Sequence, residues 1–249
     1  AARAGKAIFC EKPVDLSAER IVACLAVVKA AGVPLMIGFN RRFDPNFAEL
    51  RRRLAAGAIG ETEIVTVLSR DPAPPPASYV ATSGGIFRDM MIHDLDMARF
   101  LLCGDEPVEV HAMGSALVDP EIGAAGDADT ALVVMRTAAG RLCQISNSRR
   151  ATYGYDQRIE VHGSKGMLRA GNVHESTVEL ASSDGFRADP VQHFFLERYA
   201  EAYRAELATF VESVEKGIAP SPTGEDGLAA QRLADAATES WKTGKPVRV

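Results

Sequence analysis

Residues 7–39 read AIFCEKPVDLSAERIVACLAVVKAAGVPLMIGF, and the alternation of apolar runs and breakers in them decides the fold. Ala7-Ile-Phe-Cys10 is a short, continuous apolar run of the kind that forms a buried strand. Ser17 offers a helix N-cap, Ile21, Cys24, Leu25 and Val28 recur at helical spacing, and Gly32 supplies the stop. Leu35 to Phe39 is a second apolar strand. Strand–helix–strand with a tight return is a βαβ unit, whose strands run parallel and whose crossover is right-handed. Working back from it, Ala1-Ala-Arg-Ala-Gly-Lys6 reads as the end of a helix, so the chain enters the fold in mid-unit and is expected to be a truncated sequence.

Working forward, the pattern changes. Asp44 to Ala56 is an amphipathic helix, Glu63 to Leu68 a strand, and Asp71 to Ala77, with four prolines, a loop that no central strand accommodates. Residues 88–102 are predicted to form one helix. From 108 to about 181 strands dominate: 130–137 and 141–147 flank a turn, and 157–162 and 166–170 flank Gly163-Ser-Lys165. Two helices, 192–216 and 225–243, precede a short final strand from Pro246. The expected class is α/β plus α+β. Residues 1–40 are a remnant of a doubly wound domain, and 41–249 form a mixed, largely antiparallel open sheet with helices on one face. The last helix and strand are expected to pack back on the first part.

Of the 249 residues 47% are hydrophobic and 24% charged, an ordinary globular balance. The net charge of −5 argues against nucleic acid as a partner, since phosphate binding needs clustered Lys and Arg. The one basic cluster, Arg51-Arg52-Arg53, fits a solvated helix end. Four cysteines lack a CxxC pair; Cys24 and Cys143 lie in apolar runs and read as buried free thiols, pointing to a reducing, cytoplasmic compartment. The longest apolar run, 21–39, is interrupted by Lys29, Gly32 and Pro34, so no membrane span is expected.

Chemistry concentrates in Asp89-Met-Met-Ile-His93-Asp-Leu-Asp96. On one helix, Asp89, His93 and Asp96 fall within about 60° of one another, opposite a core stripe of Met91, Leu95, Ala98 and Leu102. Removing hydride from an alcohol carbon requires a base for the hydroxyl proton, and a histidine beside a carboxylate suits that task. An i,i+4 ion pair on a solvated helix and a metal site are the rival readings. Lys12, directly after the first strand, sits where open α/β sheets bind ligands, although a solvated turn lysine fits as well. Arg41 and Arg42 follow the second strand and suit a polar ligand, and Asp44 is a natural N-cap.

Taken together and in order, Glu11-Lys12-Pro13 after a strand, Gly38-Phe-Asn-Arg-Arg-Phe-Asp-Pro45, Asp89-x-x-x-His93-Asp-Leu-Asp96, Glu160-Val-His-Gly-Ser-Lys-Gly166 and Gly224-Glu-Asp-Gly-Leu228 resemble the Gfo/Idh/MocA oxidoreductase family over essentially the whole chain. Asn147–Asp156 and Phe194–Tyr199 are most similar to its myo-inositol 2-dehydrogenase branch. The resemblance implies a Rossmann domain binding NAD or NADP, followed by a domain whose open sheet builds homodimers or homotetramers. The implied reaction takes a cyclic polyol, myo-inositol, to its 2-keto form. Another sugar or polyol dehydrogenase of the family, or a truncated oligomerising fragment without catalysis, are the alternatives. Lys12 would bind the substrate hydroxyl, His93 would be the base and Asp89 its relay, with Arg42, Asp96 and Tyr155 as further substrate contacts. Glu11, Lys12, Pro13, Asn40 and Arg41 would face the cofactor, no metal is implied, and the Lys12–Pro13 bond would be cis. Roughly 80 residues carrying the glycine-rich loop are expected to be missing, at about 30 residues per βαβ unit.

Overall fold

The βαβ reading of 7–39 holds in the computed structural model, which describes the backbone of residues 1–249 and every side chain but those of Ala77 and Ala81. Strand β1 (Ile8–Glu11), helix α1 (Ala18–Ala31) and strand β2 (Leu35–Gly38) form the unit, with β1 and β2 parallel and Ile8 opposite Leu35. Ser17 caps α1 by accepting from the Arg20 amide, and Gly32 ends it in the left-handed region at φ 63°. Only Ile21 of α1 is buried. Cys24 is exposed, against expectation, because it lies on the flank of the stripe of Ile21, Leu25 and Val28 that forms the covered side of the helix. The Lys12–Pro13 peptide is cis, as is Ser221–Pro222.

A 3-10 turn (Asn40–Phe43) leads into α2 (Pro45–Ala55), where Asp44 accepts from the Asn46 and Phe47 amides. At the end of α2 Arg52 and Arg53 pair with Glu49 on the solvent side, as a solvated helix end requires. Strand β3 (Thr62–Arg70) follows, then α3 (Ala77–Ser83), α4 (Ile86–Asp89), α5 (Ile92–Leu101), β4 (Pro107–Ser115) and α6 (Pro120–Ala124). The hairpins β5 (Thr130–Thr137) to β6 (Leu142–Ser148) and β7 (Asp156–Gly163) to β8 (Gly166–Ala170) match their sequence signatures. A projecting hairpin, β9 (Glu179–Ser182) and β10 (Gly185–Ala188), comes next; then α7 (Phe195–Arg198), α8 (Ala200–Lys216), α9 (Gly224–Thr243) and β11 (Val247–Arg248).

The larger sheet has order β11-β4-β5-β6-β3-β7-β8, with β3 and β6 the one parallel pair. Its inner face supplies Val65, Val133, Ile145 and Val161, which pack under Leu95, Ala98 and Leu101 of α5 and Leu233 and Ala237 of α9. Burial of each such large aliphatic side chain contributes about 1.5–3 kcal/mol. The outer face is left open, with Leu132 50% and Val134 52% exposed.

Three sequence expectations change. The single helix over 88–102 is two, broken at Met90–Met91. The helix over 192–216 is likewise divided at Tyr199. The final strand does not pack on the first unit; it pairs with β4 at the edge of the large sheet, Val247 opposite Val110. Helix α9 does reach the first unit. Its N-terminus comes so close that a Cβ on Gly224 would lie 2.3 Å from the Leu25 side chain and one on Gly227 3.0 Å from Val14. Among the described residues no helix is long and apolar enough to cross a membrane.

Candidate active site

The carboxyl ends of β1 and β2 carry Lys12 and Asn40 to one wall of a cavity of about 270 Å³, whose other walls come from Asp89, Met90 and His93 on α4–α5, Asp71 and Tyr79 after β3, Arg149 after β6, and Tyr155, Phe195, Tyr199 and Tyr203. That volume is at the small end of ligand pockets and suits a small polar molecule. The Lys12 ammonium donates to the Asp89 backbone carbonyl at 2.7 Å and lies 3.5 Å from Asp89 Oδ1. Burial lowers the Lys12 pKa below its ordinary range, an effect opposed by Asp89.

His93 is the unusual member. Its ring meets Phe39 edge-on at 6.2 Å, and its Nδ1 is buried with no hydrogen-bond partner. Burial, with the Lys12 and Arg41 cations, pushes its pKa well below 6.5. The ring is therefore neutral at pH 7, the state a base needs before it accepts a proton. Asp89 is not hydrogen-bonded to it. The Asp89 carboxylate instead accepts from Tyr79 Oη at 2.9 Å and Arg149 Nη2 at 3.1 Å. The break at Met90–Met91 is the physical reason: it removes the shared helical register on which the Asp89–His93 pairing rests.

Beneath the cavity runs a buried polar network. Arg41, 4% exposed, forms an ion pair with Asp94 and donates to Ser69 Oγ at 2.9 Å, while Asn147 donates to Asp94 Oδ2 at 2.8 Å. Arg41 thus presents its charge from inside the wall. Burial pushes Asp71 up to about 6, against the pull of Arg149 and Arg41.

The structure separates Arg42 and Asp96 from this cavity. Arg42 donates to Asp96 at 2.8 and 2.6 Å and to Asp226 at 3.0 Å, and Arg99 also bonds Asp226 at 3.0 Å. This ion-pair cluster ties the 40–43 turn and α5 to the N-terminus of α9. Asp96, paired with Arg42, does not line the cavity that Asp89 and His93 share. Glu11 and Pro13 flank Lys12 in sequence but do not line the cavity; Glu11 lies over Gly38, where a Cβ would be 2.7 Å from Glu11 Oε2. The Gly163-Ser-Lys-Gly166 turn is a hairpin, held by the Ser164 amide to Glu61 O and the Lys165 amide to Ile59 O.

Asp71, Tyr79, Asp94, Arg149, Tyr199 and Tyr203 belong to the site or its support and escaped the sequence reading. The position of Asp71 and Arg149 just past β3 and β6 was the available signal. A larger groove of about 710 Å³ between α2 and the β9–β10 hairpin touches none of the nominated residues.

Residues 47–169 match the GFO/IDH/MocA C-terminal domain. The chain is 58% identical over 239 residues to an inositol 2-dehydrogenase of Rhizobium meliloti (strain 1021), covering 96% of this chain and 72% of that protein. This chain belongs to the Gfo/Idh/MocA family. Its fold superposes on a myo-inositol dehydrogenase from Corynebacterium glutamicum ATCC 13032 with TM-score 0.95 at 48% identity, over 100% of this chain and 74% of that one. It also matches a scyllo-inositol dehydrogenase from Lactobacillus casei with bound NAD(H) and scyllo-inositol, with TM-score 0.91 at 32% identity, over 99% of this chain and 74% of that one. The mixed α/β fold with its mostly antiparallel open sheet matches these structures.

Proposed function

We propose that this protein is an NAD-dependent dehydrogenase of cyclic polyols, oxidising the C2 hydroxyl of myo-inositol to a ketone. The observation that carries the reading is the convergence of Lys12, Asp89 and a neutral, enclosed His93 on one small polar cavity. Similarity to proteins described as inositol 2-dehydrogenases supports the substrate, and a relative holding NAD(H) supports the cofactor.

The residues fit a dinucleotide. The carboxyl ends of two parallel strands are where such ligands bind in open α/β sheets, and here they bring Lys12, Asn40 and Arg41 to the cavity, with Glu11 and Pro13 beside Lys12 in sequence. Bound NAD supplies the acceptor for the hydride that leaves the carbinol carbon. His93, neutral at pH 7, takes the hydroxyl proton on its ring. Lys12 donates to the same oxygen and stabilises negative charge as it develops. Asp89 holds Lys12 and accepts from a neighbouring polyol hydroxyl. Tyr155, 6% exposed on the far wall, narrows the space available to the ring. Arg42 and Asp96 act from outside the cavity by anchoring the turn that carries Asn40 and Arg41.

In this reading residues 1–40 serve the cofactor and 41–249 the substrate. The open outer face of the sheet, where Met113, Leu132 and Val134 are exposed, is the surface for a second copy. Four unpaired cysteines suit a reducing cytoplasm. Reduction of NAD followed by absorbance with myo-inositol, scyllo-inositol and glucose tests the substrate. Preferred turnover of myo-inositol is expected, and equal or better turnover of either other compound would reassign it.

A further inference from the structure

Asp89 is the hinge of the site, yet the residue beside which the motif places it does not hold it. The carboxylate is fixed by two donors from distant segments. Arg149, at the end of β6, donates from Nη2 to Oδ2 at 3.1 Å, and Tyr79, on α3, donates from Oη to Oδ1 at 2.9 Å. The Arg149 side chain is 3% exposed and that of Asp89 12%. Arg149 Nε is buried and without a partner. A guanidinium enclosed to that degree cannot exchange its carboxylate for water, so its charge is committed to Asp89. Tyr79 is 48% exposed, and burial of its hydroxyl together with Asp89 pushes its pKa to about 12, which keeps the phenol a donor. With both oxygens engaged from outside, Asp89 is held away from His93, whose Nδ1 stays unpartnered.

We propose that Arg149 and Tyr79 form a two-donor clamp that positions Asp89 for the polyol, Arg149 as its fixed jaw and Tyr79 as its exposed one. Asp89 then serves as a hydroxyl acceptor and a partner of Lys12, and His93 works as a base without a carboxylate behind it. The clamp deepens the dehydrogenase reading above and rests on it for its chemistry. Tyr79 comes from α3, between the proline loop and α4, and lines the cavity beside Asp89.

The test is a double-mutant cycle of Arg149→Met and Asp89→Asn in the full-length protein, with Arg149→Lys and Tyr79→Phe alongside. A hydrogen bond to a charged group sets the scale, about tenfold to a hundredfold. Arg149→Met is expected to lower kcat/KM for myo-inositol by about that factor while KM for NAD moves less than about twofold. Arg149→Lys should recover part of the loss, and Tyr79→Phe should cost about threefold to tenfold. Adding Arg149→Met to Asp89→Asn should cost little more than Asp89→Asn alone. Additive losses, or a parallel rise in KM for NAD, would overturn the clamp by giving Arg149 a purely structural role. Thermal stability over the same cycle separates the two proposals. Wild-type protein that turns over no polyol overturns the dehydrogenase reading, while the clamp still requires Asp89→Asn to restore stability lost in Arg149→Met. Absence of that restoration would overturn the clamp itself.

Discussion

Two clusters of charge grow from the same short pieces of chain, the 40–43 turn and residues 89–99, and they have opposite characters. Around Arg42, Asp96, Arg99 and Asp226 every charged group has a partner of opposite sign within 3.0 Å. Around Lys12, Asp89 and His93 the groups are left wanting: the imidazole has an unpartnered nitrogen and a depressed pKa, the ammonium is lowered by burial, and Asp71 sits near 6. Both clusters are largely buried and mix cations with carboxylates. What distinguishes chemistry from scaffolding is unsatisfied capacity. A saturated network has nothing left to give a ligand, whereas groups held in uncomfortable protonation states are the ones that titrate and transfer protons near pH 7.

The comparison breaks first at the catalytic end. His93→Ala should lower kcat for polyol oxidation by about 10²–10⁴-fold, the usual contribution of a general base, and steady-state kinetics beside a thermal melt should show a far larger change in rate than in stability. The saturated cluster should respond the other way. Arg42→Met leaves Asp96, 1% exposed, without a hydrogen-bonded cation and with only Arg99 at 3.9 Å, so denaturant unfolding should show a loss of about 3 kcal/mol. Smaller again is the cap at its edge. Thr223 and Asp226 form a reciprocal capping box on α9, and Thr223→Ala should cost about 1 kcal/mol in the same assay without changing kcat at saturating substrates.

The last expected effect is a slope. Because the His93 pKa is lowered on folding, the unfolded chain binds the extra proton first. Stability is therefore complete above pH 6.5 and is lost as pH falls below that value toward the folded pKa. Unfolding measured between pH 7 and 5 should weaken by at most roughly 1.4 kcal/mol per unit from this group, and His93→Phe should flatten the slope.

The elements legible in the sequence were those whose signals are local. The βαβ unit, both hairpins of the large sheet and α9 follow from periodicity with Gly, Ser and Thr at the ends. The break between α4 and α5 carries no glycine or proline; it is imposed by packing, and so the helical projection of Asp89 onto His93 misleads. Helix α5 was read as one core stripe opposite a polar face, but it lies between the sheet and α9, and Asp94 and Asp96 are buried along with its apolar residues. An amphipathic rule cannot see a second buried face whose polar groups are paired with cations from another segment. Lys12, His93 and Tyr155 were found through motif, and all three border the cavity. Arg149 and Tyr79 were not, because their meaning lies in contacts made 60 and 10 residues away along the chain.

One measurement bears most directly on the claim that the unsatisfied cluster, and not the saturated one, does the chemistry. Full-length protein, His93→Ala and Arg42→Met are each mixed with NAD and myo-inositol at a temperature where all three are folded, and NADH is followed by absorbance. The account predicts robust turnover by wild type, loss of at least about a hundredfold in His93→Ala, and a kcat for Arg42→Met within roughly one order of magnitude of wild type. Equal turnover by His93→Ala and wild type, or loss in Arg42→Met as deep as in His93→Ala, would contradict it.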